Sequence, residues 1–331
     1  MAITGEREKV YFVSEDTQCA AWLYRGDNGA CVVMSGGLAV TKEPGTDRFA
    51  RRLHDAGFTV LAFDYRHFGE SEGQPRQVTR YREQIADWQA AIDFARAVPG
   101  VDPKKVAIWG FSLSSGHVFR VAARDPQLGA AIAHSPLVDG PAALPNAMRH
   151  QTQSASLRFA ALALWDAIGL RLGRKPILVP LAGPPGTVTS LTSPDAQNGA
   201  DALNPGNAYP QWQQEVAASS AMRVAFYRPG RYASRVKIPF LVVAYDDDGV
   251  APPKSAIRAA SRAPRGELVR LPGGHYAAYL DGHDRAVDTL LRFLNEHLLG
   301  KRAPARPLHD RTTQRDWRFP EPHKRTTATP Y

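Results

Sequence analysis

The sequence contains little cysteine: Cys19 and Cys31 are the only cysteines among its 331 residues. Two cysteines are too few for a disulfide framework or for a metal site built on cysteine ligands. Both lie in segments with the composition of strands near the start of the chain. We therefore expect two buried thiols.

Long apolar runs are also absent. No stretch approaches the roughly 20 apolar residues of a membrane span, and the beginning, MAITGEREKVYF, lacks the apolar core of a signal peptide. We therefore expect a cytoplasmic protein without a membrane span. A composition of 44% hydrophobic and 22% charged residues excludes disorder throughout the chain and suits a sizeable core.

Acidic residues are too few to balance the basic ones, and the net charge is +9. The segment 301–331 holds eight Lys/Arg, three Asp/Glu and five prolines, so it contributes +5 and leaves +4 for the first 300 residues. We interpret it as a basic, proline-rich tail that is extended or disordered. Nothing else resembles a base-reading module, so we expect no nucleic-acid partner.

The sequence does contain an alternation of short strands and amphipathic helices. Three strands open the chain, EKVYFVS, CAAWLYR and ACVVMS, and the first two are spaced as a hairpin. Buried strands then follow in FTVLAFD, KVAIWGF, LGAAIAH and IPFLVVAY. Near-continuous apolar strands separated by helices predict an α/β fold with a mostly parallel central sheet and helices on both faces.

One region interrupts this alternation. About a hundred residues separate LGAAIAH from IPFLVVAY, where a crossover needs only a dozen or so. The region begins with an apolar helix carrying Leu157, Leu164 and Ile168 on one stripe, and a second helix is predicted around residues 212–226. Such a helix either packs on the core or covers the sheet as a cap. We predict a core of residues 1–136 and 238–300 and a cap, inserted after the sixth strand, of residues 137–237.

The stretch VAIWGFSLSSGHV, residues 106–118, turns from an apolar strand into a helix at Ser112. Gly110, Ser112 and Ser114 approximate the G-x-S-x-G elbow, which exposes a serine nucleophile at the carboxyl end of a strand. The alternative is that Ser112 only caps the helix. We assign Ser114 and Ser115 no chemical role.

A serine nucleophile requires a base and an acid that orients the base. Candidates follow two late strands: Asp248 in DDDGVAPP and His275 in GGHYAAY, the latter just before the final helix. Their chain order, serine then acid then histidine, is that of the α/β hydrolases.

The sequence resembles the α/β-hydrolase superfamily over residues 8–299, through VVMSGGLAVTKE, FDYRHFGESEG, WGFSLSSG, DDDGVAPP and GGHYAAY. The resemblance implies that His275 is the base. It also favours Asp248 over its two aspartate neighbours, because Pro252 completes an Asp-x-x-x-Pro pattern, with Asp139 as the fallback acid. His117 and His134 are expected to be helix and strand-end residues near the site.

The resemblance also implies an oxyanion hole made by the backbone N–H groups of Leu113 and Leu38, with Gly36 where related enzymes often have histidine. In FDYRHFGESEG, Arg66, His67 and Glu70 are expected to be structural. No dinucleotide motif, Walker loop or His-x-x-x-His pair is present, so we expect no cofactor and no metal.

The expected function is hydrolysis of a carboxylic ester, thioester or lactone. The predominance of Leu, Ala, Val, Trp and Pro in the insertion predicts an apolar small-molecule acyl substrate. Two alternatives stay open: acyl transfer to an alcohol or amine by the same residues, and a non-catalytic binding module on this fold. We allow for a homo-oligomer.

Overall fold

The computed structural model describes residues 7–301. The described strands are β1 (Arg7–Ser14), β2 (Thr17–Tyr24), β3 (Cys31–Ser35), β4 (Thr59–Phe63), β5 (Val106–Phe111), β6 (Ala130–His134), β7 (Leu178–Pro180), β8 (Glu215–Ala217), β9 (Phe240–Tyr245) and β10 (Gly266–Leu271). The described α-helices are α1 (Lys42–Asp55), α2 (Tyr81–Arg96), α3 (Leu113–Ala122), α4 (Gly140–Arg149), α5 (Gln153–Arg171), α6 (Pro194–Gln197), α7 (Gly199–Leu203), α8 (Ala218–Val224), α9 (Pro253–Arg262) and α10 (His283–Leu299).

One large sheet has the strand order β1-β2-β4-β3-β5-β6-β9-β10. The opening hairpin β1–β2 and the β2–β4 pair are antiparallel, and every other neighbouring pair is parallel. The predicted mostly parallel sheet is therefore confirmed. Strands β3 to β6 are fully buried because helices cover both faces, which explains their unbroken apolar sequences.

The helices fall into two layers. Apolar side chains of α1 and α10, such as Phe49 and Leu290, pack on one face of the sheet. Side chains of α2, α3 and α9, such as Trp88 and Val118, pack on the other face. Parallel strands bring their carboxyl ends to a common edge, and the loops after β3, β5, β9 and β10 meet there.

The segment between β6 and β9 contains α4 to α8 and a two-stranded sheet of β7 and β8. The prediction of a helix over residues 212–226 was partly wrong, because the helix covers only Ala218–Val224. Residues Glu215–Ala217 form β8 instead, where backbone pairing with β7 replaces helical hydrogen bonds. Trp212 lies before both elements, and its indole N–H donates to the Ala39 carbonyl at 2.8 Å.

Helix α5 presents its predicted apolar stripe to solvent. Leu157, Leu164 and Ile168 are 72%, 64% and 42% exposed, and Trp165 is 57% exposed. The opposite side of the helix is buried through smaller residues such as Ala163. The stripe therefore does not pack on the core.

No α-helix of the described residues is both long enough and apolar enough to cross a bilayer. The two cysteines are free and buried, as expected. The predicted tail, residues 301–331, lies outside the described residues except for Lys301.

Candidate active site

Ser112 lies at the turn between β5 and α3 with a backbone φ of 56° and ψ of −114°. This left-handed region is unfavourable for a residue with a side chain, and such strain often occurs at functional positions. The turn requires a glycine at Gly110, because a Cβ there would lie 2.6 to 2.7 Å from the backbone of Ser114 and Ser115. Ser112 itself is partly exposed, whereas the residues on either side of it are buried.

Ser114 and Ser115 are fully buried and hold the turn together. The Ser114 hydroxyl contacts the Tyr65 hydroxyl at 2.6 Å and donates to the Gly36 carbonyl. The Ser115 hydroxyl is within hydrogen-bond distance of the β5 and β6 backbones, including the His134 N–H at 2.8 Å. Both serines thus act on the backbone and are not available to a substrate.

The structure brings Ser112, His275 and Asp248 together in one hydrogen-bonded chain. His275 Nε2 lies 2.9 Å from Ser112 Oγ, and His275 Nδ1 lies 2.8 Å from Asp248 Oδ2. The imidazole is fully buried, and Asp248 is 6% exposed. When Nδ1–H donates a hydrogen bond to a carboxylate, Nε2 carries no proton and can accept the one from the serine hydroxyl.

Asp248 is oriented by its own loop. Its Oδ1 accepts hydrogen bonds from the backbone N–H groups of Val250 at 2.9 Å and Ala251 at 2.6 Å, which leaves Oδ2 for His275. The neighbouring Asp246 is exposed and pairs with Arg270. Among the three consecutive aspartates, only Asp248 contacts the histidine.

Asp139 does not reach His275. Its side chain accepts a hydrogen bond from the Ala142 N–H at the start of α4 and lies 3.5 Å from Arg228. These contacts give it a helix-capping role.

The loop after β3 lies against Ser112. A Cβ added to Gly37 would be 3.2 Å from the Ser112 Cβ, and Leu38 lines the same cavity as Ser112. Within residues 7–301 we find no hydrogen bond from the backbone N–H of Leu38 or of Leu113. Leu113 directly follows Ser112 in the chain, and the assignment of both residues as oxyanion donors stays a prediction.

Two other histidines lie near the site and are fully buried. His117 contacts the Tyr227 hydroxyl at 2.7 Å and the side-chain Oε1 of Gln84 at 2.9 Å, and His134 contacts the Tyr245 hydroxyl at 2.9 Å. Burial, with smaller contributions from neighbouring positive groups, lowers the pKa of each to about 3. Both are therefore neutral at pH 7.

The loop after β4 forms a network of charged groups outside the site. Arg66 Nε lies 2.7 Å from Asp87 Oδ1, and His67 Nε2 lies 2.9 Å from Glu83. Glu70 lies 2.6 Å from the buried ammonium of Lys42. These contacts tie the loop to α1 and α2, in line with the expected structural roles.

A cavity of about 400 Å³ opens beside Ser112. Its walls come from the loops after β3, β5 and β10 and from the segment between β6 and β9. Among residues 7–301, the lining contains no charged side chain and includes Leu38, Phe111, Leu181, Leu191, Leu203, Trp212 and Tyr276. Its polar side chains besides Ser112 and Tyr276 are those of Gln197 and Gln214. A larger cavity of about 530 Å³ lies next to the His275 loop, and its lining does not include Ser112.

Within the described part of the chain, no cluster of three or more His, Cys, Asp or Glu side chains could hold a metal ion.

Sequence reasoning missed three residues at the site. Tyr276 and Trp212 line the cavity, and Asp195 contacts the backbone of the loops that carry Asp248 and His275. Only Asp195 could have been noticed in the sequence, because it is the single acidic residue between residues 167 and 200. The aromatic residues resemble ordinary core residues in sequence.

This sheet order, with the serine after β5, the acid after β9 and the histidine after β10 at its carboxyl edge, defines the class of α/β hydrolases. The chain belongs to the family described as serine aminopeptidase, S33, whose model matches residues 27–275.

Among named relatives, the quorum-quenching protein AidA of Acinetobacter baumannii is 40% identical over 290 residues, which cover 86% of this chain and 93% of AidA. The thiohydrolase AneE of Aspergillus aculeatus is 37% identical over 118 residues, 35% of this chain and 37% of that protein. The solved structure of the α/β hydrolase GrgF from Penicillium has a TM-score of 0.74 at 20% identity and covers 89% of this chain and 99% of GrgF.

Proposed function

We propose that the protein is a serine hydrolase that cleaves a carboxylic ester, thioester or lactone through an acyl-enzyme on Ser112. The observation that carries this proposal is the continuous hydrogen-bonded chain from Ser112 Oγ through His275 to Asp248. A helix-capping serine would need neither a buried imidazole within 2.9 Å nor a carboxylate behind it.

Acylation begins when Ser112 Oγ attacks the acyl carbonyl carbon and passes its proton to His275 Nε2. Asp248 stabilises the imidazolium that forms. The carbonyl oxygen becomes an oxyanion, which the N–H groups of Leu113 and Leu38 bind. Each donor is worth about 3 to 4 kcal/mol in measured oxyanion holes.

The tetrahedral intermediate then expels its leaving group, an alkoxide or thiolate, which takes the proton from Nε2. In a lactone the leaving oxygen stays attached to the acyl chain. Water next attacks the acyl-enzyme while His275 takes one of its protons, and the second tetrahedral intermediate collapses to release the acid and regenerate Ser112.

The uncharged lining of the cavity supports a neutral, apolar acyl group. Its volume of about 400 Å³ lies in the range of small-molecule sites, roughly 300 to 1,000 Å³. A polyanionic substrate would lose its hydration without gaining a paired cation. The thiohydrolase relative supports thioesters as one member of this class.

The segment between β6 and β9 supplies much of the cavity wall, which supports its proposed role as a cap. No charged side chain lines its part of that wall. The cap therefore selects acyl groups by shape and apolar contact.

Turnover of a panel of substrates tests the proposal. We expect hydrolysis of p-nitrophenyl butyrate and octanoate, of an acyl thioester and of an N-acyl homoserine lactone, with the apolar acyl groups preferred over succinyl esters. Ser112→Ala should abolish turnover, whereas Ser261→Ala, at an exposed serine of α9, should not. Turnover that survives Ser112→Ala would contradict the proposal.

The same assay separates the two alternatives. Acyl transfer predicts an acylated product when an alcohol or amine competes with water. A binding module predicts no turnover of any substrate by folded protein.

A further inference from the structure

Asp195, on the short helix α6, connects the segment between β6 and β9 to the two loops of the candidate site. One of its oxygens, Oδ2, accepts the backbone N–H of His275 at 3.1 Å and that of Gly249 at 3.0 Å. Gly249 directly follows Asp248. One carboxylate oxygen thus bridges the loop of the acid and the loop of the base.

The other oxygen of this carboxylate is fixed from its own helix. The Ser193 hydroxyl donates to Asp195 Oδ1 at 2.8 Å, which orients the carboxylate toward the loops. None of the ion pairs among residues 7–301 includes Asp195. The carboxylate therefore binds backbone N–H groups rather than a basic side chain.

These contacts affect the protonation of Asp195. Burial raises its pKa, but hydrogen bonds from the His275 N–H, the Ser193 hydroxyl and the Gly249 N–H outweigh burial and hold the pKa below its ordinary value. The group is therefore a carboxylate at neutral pH.

Both loops approach Asp195 so closely that a Cβ would have little room at the contact. A Cβ on Gly249 would lie 2.9 Å from Asp195 Oδ1, and one on Gly274 would lie 3.1 Å from Oδ2. Charge-assisted hydrogen bonds to a backbone packed this tightly leave the loops little freedom.

The two residues that follow Asp195 in the chain line the candidate substrate cavity. Ala196 and Gln197 line the cavity of about 400 Å³ beside Ser112. The same short helix therefore forms part of the substrate wall and holds the loops of Asp248 and His275.

We infer that Asp195 is a positioning residue, which holds the loops of Asp248 and His275 in register with Ser112 from within the substrate-binding segment. It touches neither the substrate nor a reacting atom, and it acts through the two backbone N–H groups. This inference rests on the proposed function.

The test compares Asp195→Ala, Asp195→Asn and Asp201→Ala by kcat and KM for p-nitrophenyl octanoate. Positional errors near 1 Å can cost about 100-fold in rate, so Asp195→Ala should lower kcat about 10- to 100-fold with KM within about twofold. The Asn amide oxygen can accept the same two N–H groups, so Asp195→Asn should restore kcat to within about threefold. Asp201, an exposed acid on α7, is the matched control and should change nothing.

Two results would overturn the inference. One is a kcat of Asp195→Ala within twofold of that of Asp201→Ala, and the other is a kcat of Asp195→Asn as low as that of Asp195→Ala. If Asp195→Ala does not fold, Asp195→Glu moves the oxygens by about one C–C bond and should lower kcat at least about fivefold. An unchanged kcat for Asp195→Glu would then overturn it.

The failure of the proposed function looks different. In that case wild-type protein neither turns over the ester nor reacts with a fluorophosphonate at Ser112. If wild-type protein does both and Asp195→Ala does so equally fast, only the positioning role is wrong.

Discussion

Two helices of the inserted segment relate to the sheet in opposite ways. Helix α5 is long and apolar, yet its stripe around Leu157 and Leu164 faces solvent. Helix α6 has four residues, and its one carboxylate reaches the backbone of the loops that carry Asp248 and His275. Whether a helix of this segment contacts the candidate site therefore depends on a few directed hydrogen bonds and not on the length or hydrophobicity of the helix.

The largest effects should come from substitutions in the hydrogen-bonded chain of Ser112, His275 and Asp248, whose loops α6 contacts. Ser112→Ala or His275→Ala should each reduce kcat/KM by about 10³ to 10⁶, because removing either member disables the nucleophile. Initial rates with p-nitrophenyl octanoate measure the loss, and thermal melting checks the fold. A loss of less than tenfold would contradict the assigned roles.

Asp248→Asn should follow, with kcat lower by about 10⁴, because an amide can stabilise the wrong imidazole tautomer and cannot stabilise the imidazolium. Asp139→Asn is the matched control, since Asp139 caps α4 and lies away from His275. If Asp139→Asn removed activity and Asp248→Asn did not, the assignment of the acid would be wrong.

On the inserted side, filling the cavity should alter substrate preference. Ala200 lines the cavity in α7. Ala200→Phe should raise KM for the octanoyl ester about tenfold and leave the acetyl ester within about twofold, because only the longer chain needs that space. Equal effects on both esters would show that the acyl chain lies elsewhere.

A pH titration tests the two buried histidines that lie outside the hydrogen-bonded chain of Ser112, His275 and Asp248. Folded His117 and His134 have pKa values of about 3, lowered by burial, against about 6.5 in the unfolded chain. The unfolded chain therefore binds protons first, and stability falls as pH drops from about 6.5 toward 3. The free energy of unfolding should lose up to about 3 kcal/mol per pH unit from these two groups.

His117→Gln should reduce this slope by up to about half. Urea unfolding at several pH values measures it. An unchanged slope would mean that His117 is not neutral in the folded protein.

The smallest effect is expected at the outer face of α5. Leu157→Ser and Leu164→Ser should each leave kcat/KM within about twofold, because both side chains are exposed and neither lines the cavity. Sedimentation of the wild type and both variants shows whether the chain forms the homo-oligomer that the sequence analysis allows for. A large loss of activity would show that α5 supports the site.

The sequence predicted those parts of the molecule that depend on local patterns. The strand-then-helix alternation and the glycine-assisted turn at Ser112 follow from short-range chemistry. The choice of Asp248 and His275 rests on the resemblance to the α/β hydrolases. The contact of Asp195 could not be predicted, because it joins residues 54 and 80 positions apart through backbone groups that every residue has. The exposure of the α5 stripe could not be predicted for a related reason: periodicity identifies an apolar face but not what lies against it.

The central claim is that His275 and Asp248 activate Ser112. Labelling with a fluorophosphonate, followed by peptide mass mapping, tests this most directly. We predict one label per wild-type chain, on Ser112, and labelling at least about 10³-fold slower in His275→Ala. A label on another residue, or equal labelling of folded His275→Ala, would contradict the account.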